Sequence, residues 1–281
     1  MTIRFDEKIA IVTGGAMGIG AATAKKLCEL GASVAILDRD VEAAETTTKA
    51  LLKAGYKASF FHCDVSSESS TKHAIDAAAQ HYGALHVLVS NAGIQRYGDV
   101  THTSPEVWNE TFDVHVKGCF HVTRFGIPIM LACGGGAIVV VGSTQSFTAI
   151  VNSAAYVAAK HALLGITRSI ALDYARQNIR ANCVCPGTID TPMLRWSASL
   201  SDSPEELIDA CSRMHPLGRI GTPDEVANAI AFLASDWASF ITGASLLVDG
   251  GLLLPTGGMG LQESGIGTTD GGKTVTKEIS L

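Results

Sequence analysis

Short β-branched and aliphatic runs alternate along this chain with longer amphipathic stretches, and the alternation repeats almost from end to end. Lys8 to Val12 reads as a strand, and Ala21 to Leu30 after it carries helical periodicity that stops at Gly31. Ser33 to Leu37 predicts a second strand, 40–54 a helix, Lys57 to His62 a third strand, 67–81 a helix closed by Gly83, and His86 to Ser90 a fourth strand. Four strands separated by helices predict a parallel sheet with right-handed crossovers. Pro105 opens a helical stretch through Trp108, Phe112 and His115 to about Phe125, and Pro128 predicts a kink or break in its continuation. A fifth strand follows at Ala137 to Val141, then a helix from about Ser153 to Arg176 and a strand from Ile179 to Val184. Helix Pro223 to Ala234 and strand Ala244 to Val248 end the series. Met193 to Arg219 shows one short amphipathic piece, near Glu205 to Met214, and reads as a flap.

The pattern gives a single α/β domain over 1–255, with the flap at about 188–219. Residues 256–281 turn to Gly, Thr and Ser, which predicts a disordered tail or an arm over a neighbouring subunit. No internal repeat is visible.

Composition narrows the functions. The 281 residues are 47% hydrophobic and 17% charged, with net charge -6 and no basic stripe, which excludes nucleic acid or an anionic membrane as the main partner. Seven cysteines form no C-x-x-C pair and most lie in apolar runs, as expected of reduced thiols in a cytoplasmic protein. No apolar run reaches the roughly 18 residues of a membrane span, and the amino terminus lacks a signal-peptide core. Cys183 and Cys185 share one face of a strand, but no His or carboxylate follows at ligand spacing, so no metal is expected.

The candidate chemistry sits at the strand ends. Thr13-Gly-Gly-Ala-Met17-Gly18-Ile19-Gly20 joins a strand to a helix, the layout in which glycines admit a pyrophosphate and helix N–H groups face its charge. Asp38 ends the second strand near the offset where a carboxylate accepts the hydroxyls of an adenosine ribose. Its charge repels a 2′-phosphate, which favours NAD over NADP, although Arg39 beside it suits a phosphate. Asp64 ends the third strand, where an adenine edge would lie; as a plain alternative it caps the next helix. Tyr156 and Lys160 stand four apart on one helix face. A phenol with a pKa of about 10 is a poor proton acceptor at neutral pH, and a fixed ammonium lowers that value. Alone, the same spacing also describes a packed tyrosine and a solvated lysine.

Together these residues resemble the short-chain dehydrogenase/reductase family over positions 5 to 252. The motifs are Thr13 to Gly20, Asp64-Val65, Asn91-Ala92-Gly93, Ser143 thirteen residues before Tyr156, Tyr156-x-x-x-Lys160, and Pro186-Gly187 with Thr191. The resemblance implies a Rossmann-type doubly wound parallel sheet of about seven strands in the order 3-2-1-4-5-6-7. It implies hydride transfer between NAD(H) and a secondary alcohol or ketone, with Tyr156 as base or acid. Lys160 would lower the Tyr156 pKa and hold the nicotinamide ribose, and Ser143 would hydrogen-bond the substrate oxygen. Gly14, Met17, Gly18, Ile19 and Gly20 would seat the pyrophosphate, Asp38 the ribose, and Asp64 and Val65 the adenine. Asn91, with Ala92 and Gly93, would stabilise the sheet at the cofactor; Pro186, Gly187, Ile189 and Thr191 would border the nicotinamide.

One position departs from the pattern. Where the family carries Asn-x-x-Gly, this chain reads His115-Val-Lys-Gly118, so His115 is a fourth catalytic candidate, either as a proton relay ionising near neutral pH or in a structural role. Gln145, Asn152, Ser153, Thr188, Arg195 and Trp196 would line the substrate pocket, with Arg96 and His215 at its rim. Several hydrogen-bonding groups favour a sugar, a sugar acid or another polyhydroxylated small molecule. Cyclic or aromatic alcohols and dihydrodiols are the alternative, followed by a 3-oxoacyl reductase and a non-catalytic NAD-binding sensor. A homotetramer is implied, built through helices 105–125 and 154–176 and the last strand.

Overall fold

Strands β1 (Ile9–Thr13), β2 (Ser33–Asp38), β3 (Lys57–His62), β4 (Val87–Ser90), β5 (Gly136–Val141), β6 (Ile179–Pro186) and β7 (Ser245–Val248) form one sheet in the computed structural model. All neighbours pair in parallel and the order is β3-β2-β1-β4-β5-β6-β7, as the resemblance implied. The structure describes residues 2–254, so the tail expected at 256–281 lies outside the described residues.

Helices cover both faces, and the side-chain period of two sorts each strand between them. Ala10 and Val12 of β1, with Ala137, Val139 and Val141 of β5, face α1 (Gly18–Glu29) and α9 (Pro223–Ala234). Ile11, Ile138 and Val140 face the opposite layer, where α3 (Glu68–Tyr82), α5 (Gly118–Ala132) and α6 (Ala154–Tyr174) pack. Burying each such Ile or Val contributes about 1.5–3 kcal/mol, which is why the central strands read as unbroken apolar runs. Gly126 lets α5 approach β4: a Cβ there would stand 2.7 Å from Leu88 Cδ2. Among the described residues no helix is long and apolar enough to cross a membrane.

Three expectations need correction. The stretch from Pro105 is α4 (Pro105–Phe112), a π turn (Asp113–Lys117) and α5, and α5 continues through Pro128. Proline costs a helix interior roughly 3 kcal/mol, and the burial of Val122, Ile127 and Met130 on the same helix offsets it. The flap holds two helices, α7 (Pro192–Ala198) and α8 (Pro204–Met214). Thr191, whose hydroxyl accepts from Leu194 N, and Pro192 in the first turn start the helix that periodicity did not reveal. Finally, Ser67 and not Asp64 caps α3.

Candidate active site

The turn after β1 is held from two sides. Gly14 (φ 61°) lies so close to the segment after β4 that a Cβ would stand 2.8 Å from Ala92 Cα, and a Cβ on Gly20 would stand 1.9 Å from the Gly14 carbonyl oxygen. Asn91 Nδ2 donates to the carbonyls of Thr13 and Gly14, both at 3.0 Å. The buried Thr13 hydroxyl, a feature the sequence reading passed over, donates to Val89 O and accepts from Asn91 N and Ala92 N. The loop is therefore rigid before any ligand arrives. Helix α1 begins with no side-chain cap and no acidic residue in its first turn, which leaves its N–H groups facing outward for an anion.

The strand ends beside this loop carry the acidic groups. Asp38 accepts from Ala16 N through Oδ2 and from Asp40 N through Oδ1, each at 3.0 Å. Each carboxylate oxygen keeps a lone pair for a ribose hydroxyl. Asp64 Oδ1 accepts from the amide and hydroxyl of Ser66, leaving Oδ2 for an adenine amino group. Val65 is fixed by His121, whose Nδ1 stands 3.0 Å from its carbonyl; His121 is a second residue the sequence reading missed. A pyrophosphate cradle, a ribose acceptor and an adenine edge in this order fit a dinucleotide.

Ser143 follows β5, and α6 carries Tyr156 and Lys160. Ser143 Oγ accepts from Gln145 N at 3.1 Å, so its own proton is free to be given. Lys160 is buried, Nζ donates to the Val141 carbonyl at 2.9 Å and lies 5.5 Å from the Tyr156 ring centre. Burial pulls the Lys160 pKa down to about 8. Burial also pushes Tyr156 up to about 12, opposed by its hydrogen bond with Ser143. In the protein alone, burial outweighs the neighbouring Ser143 hydroxyl, and the phenol lies above its ordinary value.

His115 also differs from expectation. It sits on the π turn, 2% exposed, its ring edge-on to Tyr156 with centroids 5.4 Å apart. Nε2 lies 2.7 Å from the Ile94 carbonyl and 3.2 Å from the Ile94 amide nitrogen, and Nδ1 is buried without a partner. A Cβ on Gly93 would stand 2.6 Å from its Cε1, so the glycine makes room for the ring. Desolvation, aided by the Lys160 charge, lowers the His115 pKa to about 3. No ionisation near neutral pH arises from this group.

The flap end of the cleft is less polar than the residue types suggested. Arg96 is paired with Glu110 through two bonds of 2.8 and 2.7 Å, and Arg195 with Asp190 through two of 2.8 Å. His215 is buried, not at the rim: Nδ1 is 2.7 Å from the Cys211 carbonyl and Nε2 accepts from Thr188 N. Asn152 is exposed in a left-handed turn (φ 55°), while Gln145 Oε1 and Ser153 Oγ are buried without partners. Trp196 of α7 stacks on Tyr97 at 6.3 Å and 14°, and the Tyr97 hydroxyl donates to Ser197 Oγ at 2.7 Å. Phe147, Ile150 and Val151, between Ser143 and Tyr156, are also exposed.

The nicotinamide-side residues close the circle. A Cβ on Gly18 would stand 3.4 Å from Thr191 Cγ2, which brings the start of the flap against the glycine loop. Ile189 is buried and bridges Gly221, and Gly187 packs so closely on His215 and Asp249 that no side chain fits. All seven cysteines are free, and among the described residues no cluster of three or more His, Cys, Asp or Glu has the geometry to hold a metal.

Residues 14–253 match the family described as enoyl-(acyl carrier protein) reductase. The chain is 39% identical over 252 residues to cyclohexanol dehydrogenase of Acinetobacter sp. (strain SE19), covering 89% of this chain and 96% of that one. It is 42% identical over 246 residues to cis-4-hydroxycyclohexanecarboxylate dehydrogenase of Sinomonas cyclohexanicum, covering 87% and 96%. The ligand-free structure of Thermoplasma acidophilum aldohexose dehydrogenase superposes with a TM-score of 0.82 at 41% identity, over 90% of this chain and 96% of that one.

Proposed function

Because the chain belongs to the short-chain dehydrogenase/reductase family and is an oxidoreductase acting on CH–OH groups, we propose that it oxidises a cyclic secondary alcohol to the ketone with NAD+. The observation that carries the substrate class is the state of the flap: Arg96, Arg195 and His215 are engaged within the protein, while Tyr97, Trp196, Phe147 and Ile150 offer apolar surface at the mouth. An apolar ring loses little by leaving water there, whereas a polyol would leave hydroxyls unpaired. Two relatives are named for cyclohexane alcohols, in agreement with this reading. A sugar is the second reading, supported by the aldohexose dehydrogenase likeness.

Bound nicotinamide would accept hydride from the carbinol carbon; the chain's residues handle the proton and the charge. Ser143 donates to the alcohol oxygen and Tyr156 takes its proton as the carbonyl forms. Lys160, anchored to Val141, keeps a positive charge beside the phenol below pH of about 8. Since the Tyr156 value of about 12 must be overcome, oxidation speeds up as pH rises, with no inflection from His115.

The Asp38 carboxylate at the end of β2 supports NAD as the cofactor, since its charge would repel a 2′-phosphate. Asp38→Ser is expected to raise the ratio of kcat/KM for NADP+ over NAD+ by roughly 100-fold, a few kcal/mol of relieved repulsion; steady-state rates with both cofactors check it. Free cysteines accord with a cytoplasmic setting, and exposed Phe120 on α5 and Leu172 on α6 with helix pairing in a homotetramer.

Initial rates of NAD+ reduction across cyclohexanols, dihydrodiols, sugars and sugar acids test the substrate class. Cyclic alcohols are expected to give the highest kcat/KM, and Trp196→Ala to raise their KM about tenfold with kcat little changed. Preference for a sugar, untouched by Trp196→Ala, would support the second reading instead.

A further inference from the structure

Ser146 is 1% exposed and its hydroxyl makes two bonds, accepting from Ser143 N at 3.3 Å and donating to the Lys160 carbonyl at 2.8 Å. One side chain thus spans the loop after β5 and the helix that carries Tyr156 and Lys160. Ser146 N in turn donates to Ser143 O at 2.9 Å, closing a ring around the backbone of Ser143.

The space beneath this bridge is filled. A Cβ on Gly142 would stand 3.0 Å from Ser146 Oγ, 2.8 Å from Cys183 Sγ and 3.1 Å from Cys185 Sγ. The two thiols lie 3.6 Å apart and are fully buried, so the loop that carries the bridge is packed against β6. From Lys160 to Tyr156 is about one helical turn, roughly 6 Å of rigid backbone. Fixing the Lys160 carbonyl to the Ser143 loop therefore fixes the Tyr156 phenol relative to the Ser143 hydroxyl.

We propose that Ser146 is a positioning residue, which acts through Ser143 by setting the distance between its hydroxyl and the Tyr156 phenol. The proposal rests on the dehydrogenase reading above. Because reacting groups lose rate steeply with small misplacement, Ser146→Ala is expected to lower kcat about tenfold with KM changed less than about threefold. Since Ser146 acts through Ser143, Ser146→Ala in a Ser143→Ala background is expected to cost less than about twofold more. Ser146→Cys, similar in size and a weak donor, is expected to recover part of the loss.

A second readout needs no turnover. With ¹³Cζ-labelled tyrosine, the Tyr156 resonance at neutral pH is expected to move in Ser146→Ala relative to the wild type, and no further in the double variant. Additive losses of kcat with Ser143→Ala, or a Tyr156 resonance unmoved by Ser146→Ala, would overturn the proposal. Failure of the dehydrogenase reading has a different signature: a wild-type protein that reduces no NAD+ with any alcohol.

Discussion

Tyr156→Phe is expected to lower alcohol oxidation by roughly 10³-fold, and NAD+ affinity by no more than about threefold. The substitution removes only the hydroxyl that takes the proton. The ring stays in place against His115 and beneath the Lys160 ammonium, so the packing of α6 survives. Ser143 keeps its bond from Gln145 N. Steady-state kinetics with NAD+ and a cyclic alcohol, beside cofactor binding by fluorescence, check both parts. Loss of binding and rate in equal measure would mean that Tyr156 serves the cofactor site and not proton transfer.

The second large effect is on stability in acid. His115 binds a proton at a pKa of about 6.5 when the chain is unfolded and only at about 3 when folded, because the ring is buried beside Lys160. Between these values the unfolded chain holds the additional proton, so falling pH favours unfolding. The contribution is fully present above pH of about 6.5 and disappears as pH falls toward 3. It amounts to at most about 5 kcal/mol over the window, or about 1.4 kcal/mol per pH unit. His86, also lowered by burial, adds to the same limb to a smaller extent, being partly exposed. Asp99 and Glu225, lowered from 3.8 and 4.5 to about 2 by surface partners, act between those ordinary values and about 2, below most of this window. In urea unfolding, His115→Asn is therefore expected to flatten the decline of stability between pH 6 and 4 by about one proton's slope, whatever it does to stability at pH 7. An unchanged slope would mean that the imidazole reaches water in the folded protein.

How much of this was readable in the residues follows from where each signal lives. Strand runs, the glycine turn, Asp38 and the Tyr156–Lys160 spacing are local patterns, and the strand runs reappear as the seven-strand sheet. The π turn at Asp113–Lys117 has no sequence signature, since it differs from an α-helix by one residue of register. Pairing of Arg96 with Glu110, fourteen residues away, is tertiary, and so is the burial of His215 against Thr188. Such pairs engage within the protein polar groups that the residue types alone offered to a substrate. The same holds for the titration of the site: Tyr156 rises and His115 falls because of desolvation, which depends on what packs around them.

The most direct test of the proposed reaction uses cyclohexanol deuterated at the carbinol carbon, incubated with NAD+ and the purified protein at alkaline pH. The account predicts transfer of deuterium to C4 of the NADH formed, with a primary isotope effect on kcat/KM and no transfer in Tyr156→Phe on the same timescale. NADH free of deuterium, or cofactor binding with no reduction by any cyclic alcohol, would contradict it.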